Sequence, residues 1–386
     1  MICDNRLILL SDRYISPVLM DYAVRSRIAV FPLKARLKAE LAERFPGLHL
    51  ISDDQAALTA QQPGKFYTNT EDCLSLLVDN SQDRNLVSNI EMCKNKLQFR
   101  EMLRPLFPDY SFQVVRPGAV SQIRLDKGKN YILKPVRGLF SIGIRRVRNQ
   151  DELNASISEL ESEICRYQDI SPSVLDSSAF LLEECIDGEE YACDAAFDSS
   201  GRPVIYSIMH HPFSGPADFR DVVYYTSRSV MREHLPAVTD FLERITRLIS
   251  IRNFPVHLEF RLCKGKLFPI EFNPLRFAAI GLSDLPFHAF GFNSFELYME
   301  NRIPDWDEIL ASKDNRFYFT VLGIIPPGRD RDRQELSGFR KSFDDLLYYE
   351  EFDPVKAHFS CLAMARTADR EKMLQYLNTD FSEFYT

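Results

Sequence analysis

The chain has 386 residues, with 47 Lys and Arg against 55 Asp and Glu and a net charge of −8. That length allows two or three domains with a sizeable core, and the acidic balance leaves no global basic surface of the kind nucleic acid selects. The eight cysteines, at 3, 73, 93, 165, 185, 193, 263 and 361, show no CxxC or zinc spacing and read as reduced thiols of a cytoplasmic protein. There is no 18-residue apolar run and no apolar signal core, so neither a membrane span nor secretion is expected.

Arg6 to Leu10 reads as a strand, Arg27 to Phe31 as a second, and Leu33 to Ala42 as a helix. Leu48 to Ile51 is a third strand, and Phe66 to Asn69 a fourth that enters a helix at Thr70. This alternation predicts a small parallel βα unit. Lys94-Asn-Lys96-Leu-Gln-Phe-Arg100 opens a further helix. A strand and turn near 112–128 lead to Tyr131-Ile-Leu-Lys134-Pro135, an apolar strand ending in a lysine, and then to a loop with Gly138, Ser141 and Gly143. Glycine lets a backbone approach phosphates, N–H groups and the Ser hydroxyl donate, and lysine brings charge. A plain Gly-containing hairpin stands beside that reading, because neither GxxxxGK[ST] nor a GxGxxG after a strand is present. Arg145, Arg146 and Arg148 read best as a solvated strand edge, and Asp151 to Gln168 as a polar helix.

Phe180 to Asp194 holds two strands joined at Asp187-Gly188, with Glu183 and Glu190 seven apart. By itself this is a hairpin with an acidic turn. Val204 to Met209 is a strand, after which His210-His211-Pro212 and Phe213 to Asp221 read as a loop, an exposed turn weighed against a cleft-facing one. Pro236 to Ser250 is an amphipathic helix.

From His257, two strands flank a turn at Lys264-Gly265-Lys266. Strand residues i and i+2 share a face, so Glu271 and Asn273 project together and Glu259 can meet them across the hairpin. Two carboxylates and an amide oxygen suit Mg²⁺ carried in with nucleotide phosphates, and they make a poor zinc set. The alternative is a pair of surface carboxylates, but an acidic face on adjacent strands repels itself unless a cation sits there. Arg261 shares Glu259's face, where it could meet a phosphate, a substrate carboxylate or Glu259 itself. Tyr224 and Tyr225 read as core or cleft wall, and Trp306 as a loop residue. Phe317 to Ile325 is a strand, and helical patterns near 332–348 and 368–378 flank another at His358 to Met364.

Taken in order, these segments resemble the ATP-grasp superfamily. They supply a strand-end Lys134 with Gly138, Ser141 and Gly143, then Glu183 with Glu190 seven residues on, then Glu259-x11-Glu271-x-Asn273. Lys96 looks like the family's first phosphate lysine. The family's arginine two residues past the metal Asn is one position late here, at Arg276, and Leu139 and Phe140 replace smaller loop residues. The resemblance implies an α/β and α+β chain with an ATP-grasp fold. It divides into an N-terminal parallel βα (pre-ATP-grasp) domain at 1–90, the ATP-grasp domain at 91–300 with its hinge near 183–190, and a small C-terminal α+β subdomain at 301–386.

It also implies ATP with Mg²⁺ or Mn²⁺ as cofactors. Lys96, Lys134 and Ser141 would hold phosphates. Glu183, Glu184 and the backbone at Cys185 and Ile186 would frame adenine, and Glu190 would accept from ribose. Glu259, Glu271 and Asn273 would ligate metal, and Arg276 and Arg261 would serve the reacting groups. The expected activity joins a carboxylate to an amine, amino acids among them, through an acyl phosphate. The substrates are small molecules, with neither nucleic acid nor membrane involved, and a homodimer is one candidate assembly. Carboxylating or kinase-like ATP-grasp enzymes and a nucleotide-binding regulator are the alternatives.

Overall fold

The computed structural model describes residues 5–138, 143–164, 178–215, 218, 220–325, 335–352 and 359–385. Strands β1 (Arg6–Leu10), β2 (Ala29–Pro32), β3 (His49–Leu50) and β4 (Lys65–Thr68) form a parallel sheet in the order β3-β2-β1-β4. Helices α1 (Pro17–Ser26), α2 (Ala35–Arg44) and α3 (Asp53–Ala60) are its crossovers. Leu7, Ile8 and Leu9 are buried on both faces, as a parallel strand covered by helices must be. β2 starts two residues later than its pattern predicts, because Arg27 caps α1 in the left-handed conformation (φ 52°). Thr70 leads into a 3₁₀ turn, Glu71–Cys73, before α4 (Leu74–Asn80).

Helices α5 (Arg84–Lys94) and α6 (Lys96–Leu103) are separated by a single residue. The Asn95 side chain accepts from the N–H groups of Leu97 and Gln98, which starts a new helix with Lys96 at its first position. A small antiparallel sheet follows, from β5 (Phe112–Val115), β6 (Tyr131–Pro135), β7 (Arg145–Val147) and β8 (Phe180–Glu184), in the order β5-β8-β6-β7. Helix α7 (Gln150–Ile164) packs Leu153, Ile157 and Leu160 against Leu133, Val147 and Leu182 of this sheet. Ser141, Leu139 and Phe140 lie outside the described residues, as does the predicted reach of α7 to Gln168.

The remaining strands form one eight-stranded antiparallel sheet: β9 (Glu189–Phe197), β10 (Pro203–His211), β11 (Val223–Thr226), β12 (Phe254–Cys263), β13 (Lys266–Pro274), β14 (Phe317–Ile324), β15 (Leu346–Glu351) and β16 (Phe359–Thr367). Its order is β13-β12-β9-β10-β11-β14-β16-β15, so the C-terminal strands extend the sheet that begins with the β12–β13 hairpin. Helix α8 (Arg228–Ile245) covers one face. It starts eight residues before the predicted Pro236 and ends at Ile245, short of Ser250. Ser227 caps it, and Val230, Met231, Val238, Phe241, Leu242 and Ile245 are buried along one stripe. Burying each of these is worth roughly 1.5–3 kcal/mol, enough together to offset the roughly 3 kcal/mol of an interior proline.

Three other expectations change. His210 and His211 belong to β10, because they pair with Tyr191 and Glu190 of β9; both are buried, at 5% and 3% exposure. Of the helical pattern at 332–348, the described residues form a short helix, Ser337–Lys341, and then β15, where Leu346 to Glu351 pair with β16 as an edge strand. Trp306 begins the helix Trp306–Ala311, and its indole N–H donates to Ile205 O at 3.0 Å. Among the described residues no helix is long and apolar enough to cross a membrane.

Candidate functional site: a two-carboxylate cleft

The hairpin β12–β13 places Glu259 directly opposite Glu271, and His257 opposite Asn273. On the other face Leu258, Phe260 and Phe272 are fully buried, with Phe272 stacked on Phe99 of α6 at 5.7 Å. Asn273 Nδ2 reaches Glu259 Oε1 at 3.4 Å. Burial and the facing Glu271 push the Glu259 carboxyl well up. Burial acts on Glu271 in the same sense, but Lys96, with Nζ 2.6 Å from Glu271 Oε1, outweighs it and holds that group low. A divalent cation would relieve this electrostatic cost. Among the described residues no group of three or more His, Cys, Asp or Glu forms a metal cluster. The donor set is therefore two carboxylates and an amide, which fits a magnesium ion that takes its remaining oxygens from phosphate and water.

A register irregularity in β12–β13 pairs Phe260 with Pro269 and leaves Ile270 as the extra residue. It directs the carbonyls of Pro269 and Ile270 toward Arg100, which donates to them at 2.6 and 3.2 Å. The same guanidinium makes a fork on Glu183, at 2.7 and 3.2 Å, and Lys134 pairs with Glu183 from the other side. Glu183 is 4% exposed, and although burial opposes ionisation, Arg100 and Lys134 draw its carboxyl down to about 2. This corrects the expectation that Glu183 offers itself to a base. It is the anion of a buried triad that joins the small sheet to α6 and β13.

The hinge segment has contacts of its own. Gly188, at φ 120°, must be glycine, since a Cβ there would meet Leu262 O at 2.1 Å. The Cys185 N–H donates to Asn130 O, and Ile186 O accepts from Arg261 Nη1 at 2.9 Å. Glu184 O accepts from the Tyr110 hydroxyl, while the Glu184 carboxylate meets Lys129 at 3.3 Å. Glu190 accepts from Arg261 Nε and Nη2 at 3.0 and 2.9 Å, and His211 Nδ1 lies 3.0 Å from its other oxygen. Arg261 thus pairs with Glu190 across β9–β12, not with Glu259. His211 stacks on Tyr224 (3.9 Å, 15°), and its other ring nitrogen faces Arg220 O at 3.4 Å.

Lys96, Lys134, Glu183, Glu184, Cys185, Ile186, Glu190, Glu259, Arg261, Glu271, Asn273 and Arg276 all line one cleft. Arg276 reaches it by an unusual route. Leu275, fully buried, takes φ 55°, and Thr68 donates to its carbonyl from N at 2.8 Å and Oγ1 at 3.3 Å. Arg276 Nη2 then stands 3.9 Å from Glu71 Oε1, beside a wall of Ile280, Leu282, Leu322 and Phe359.

Several cleft residues escaped the sequence reading. Glu71 comes from the 3₁₀ turn that follows β4. His257 holds Asp194 Oδ1 at 2.8 Å and points its other nitrogen at Glu259, 3.6 Å away. Arg146, expected at a solvated edge, turns into the cleft. Arg100, buried behind the cleft on Glu183, had a signal: it lies one turn after Lys96 on the same helix face, and a buried strand glutamate requires a cation.

The cleft opens between the small and large sheets, with phosphate-type lysines and metal-type oxygens at one end. Residues 127–284 match the family described as an ATP-grasp domain. These residues are an ATP-grasp domain, and the chain around them has the ATP-grasp fold. The fold is shared along nearly the whole chain with an L-amino acid ligase from Bacillus licheniformis (TM-score 0.71, 17% identity, 99% of this chain and 98% of that one). It is also shared with N5-carboxyaminoimidazole synthetase from Staphylococcus aureus (0.65, 11%, 97% of each) and with biotin carboxylase from Campylobacter jejuni (0.61, 12%, 98% and 91%). No curated protein matches this sequence.

Proposed function

We propose that the chain is an ATP-dependent ligase that joins a carboxylate to an amine and releases ADP and phosphate. The observation that carries this reading is the convergence of Lys96, Lys134, Glu259, Glu271, Asn273 and Arg276 on a single cleft whose far wall is apolar. Likeness along the full chain to an L-amino acid ligase supports amino acids as the first substrates to try. The domain division at 90 and 300 belongs to the same proposal.

In this reading Lys96 and Lys134 hold the phosphates in line with an incoming carboxylate oxygen, which attacks the γ-phosphorus as the bond to ADP breaks. Glu259, Glu271 and Asn273 would hold Mg²⁺, whose contribution is charge neutralisation on the phosphate oxygens. Arg276 would stabilise the acyl phosphate and the oxyanion formed on amine attack. The amine nitrogen then bonds to the acyl carbon, phosphate leaves, and the amine gives up its proton. No covalent nucleophile on the protein is required.

The test is phosphate release from Mg-ATP across a panel of amino acids, other small carboxylates and bicarbonate. We expect ADP and not AMP, release only when a carboxylate is present, and capture of the activated acyl group as a hydroxamate by hydroxylamine. AMP with pyrophosphate would overturn the acyl phosphate. Turnover with bicarbonate alone would move the assignment to a carboxylating enzyme, and ATP binding without turnover to a regulator.

A further inference from the structure

Arg146 sits in a place for which a strand-edge arginine has no evident need. It pairs with Ile132 across β6–β7, while Lys134 lies two residues further along β6. Two strand residues span about 7 Å, so the Arg146 backbone is displaced from the phosphate lysine toward the hinge. The side chain confirms the direction: Nη2 lies 3.8 Å from Cys185 Sγ, within the hinge segment. Ile132, Ile144, Cys185 and Ile186 line the same part of the cleft. This is the apolar end suited to an aromatic base, and the guanidinium of Arg146 stands there beside that of Arg261, which is already committed to Ile186 O and Glu190. The Nε of that guanidinium is buried without a hydrogen-bond partner among the described residues. A buried donor left unpaired costs free energy, and arginine offers donors only. Of the hinge backbone groups, the Cys185 N–H, the Glu184 carbonyl and the Ile186 carbonyl are engaged by Asn130, Tyr110 and Arg261.

We propose that Arg146 reads the base of the bound nucleotide, donating to the N7 acceptor of a purine ring. The inference rests on the nucleotide assignment above and makes it specific. Base selection in this cleft falls to a side chain of β7 as well as to the hinge. A purine presents N7 at the edge an arginine recognises, whereas a pyrimidine has no equivalent atom.

The experiment compares the dissociation constants of ATP and 7-deaza-ATP, which differ only in replacing N7 by a carbon. Both are measured for the wild-type chain and for Arg146→Met, in Mg²⁺-containing buffer. The wild type should bind 7-deaza-ATP about tenfold more weakly than ATP, the scale of one hydrogen bond from a charged donor. Arg146→Met should bind ATP about tenfold more weakly than wild type and should bind the two nucleotides alike. Its melting temperature without ligand reports on folding separately. Equal wild-type affinities for the two nucleotides, or a variant that still discriminates, would overturn the proposal while leaving the nucleotide site standing. A wild-type chain that binds neither nucleotide would overturn the site assignment and this inference together.

Discussion

Glu259 and Glu271 occupy opposite positions on paired strands, yet their surroundings drive them apart. The first is pushed toward the neutral acid and the second is held as a carboxylate by Lys96. Glu271→Gln removes the charge and keeps the shape. Turnover should fall by roughly tenfold or more, the scale of a weakened metal role, while ATP still binds through contacts elsewhere. Steady-state kinetics beside direct nucleotide titration separate the two effects, and wild-type turnover in this variant would rule out Glu271 as a ligand. Glu190→Ala should act the other way. It strips the partner from Arg261 and His211 and removes the proposed ribose acceptor, so ATP affinity should weaken by roughly 1–3 kcal/mol. Unchanged affinity in the same titration would remove Glu190 from the nucleotide site.

At the scale of elements, α6 is the tie between the two sheets that form the cleft. Arg100 holds Glu183 of β8 and the carbonyls of β13 at once. Arg100→Met leaves a buried carboxylate with Lys134 as its one remaining cation partner and should cost roughly 3–5 kcal/mol. Adding Glu183→Gln should recover part of that loss, and denaturant unfolding of the two single variants and the double variant measures the coupling. Additive losses would show that the pair is not coupled.

A second tie joins the β1–α1 loop to the turn before the helix Leu285–Phe290. There the Asp284 carboxyl accepts from Tyr14 and Ser16 at 2.9 and 2.6 Å. Burial raises its pKa from 3.8 to about 7 despite those donors. A raised carboxyl binds its proton more tightly in the folded state, so its contribution to stability is complete below about pH 4 and is lost as pH rises through 7. Asp284→Asn should therefore flatten the fall in melting temperature between pH 5 and 8. Parallel pH–melting curves for wild type and variant would contradict this.

For the whole molecule, ligand linkage gives the broadest test. Mg-ATP at a hundredfold excess over its dissociation constant should stabilise the fold by about 2.7 kcal/mol, and EDTA should remove part of the melting shift. No shift under either condition would sink the nucleotide assignment. The parts of this molecule legible in the sequence are those written in short periods. The parallel unit shows in its apolar runs, and Glu259, Glu271 and Asn273 follow from period-2 alternation. The parts that were not legible depend on partners far along the chain: Arg100 on Glu183, His211 on Glu190, Arg276 on Glu71. Ile270 and Leu275 shifted local register, one as an extra strand residue and the other through a left-handed backbone. Pro236 misled because a buried stripe outweighed a helix breaker.

The cleft draws its phosphate-type lysines and metal-type oxygens from residues up to Arg276, but its apolar wall includes Leu322 and Phe359 of the late strands β14 and β16. During synthesis at about 5–20 residues per second, the roughly eighty residues between Arg276 and Phe359 take about 4–17 s to emerge. A cleft with all of these walls in place therefore exists only after β16 has been made.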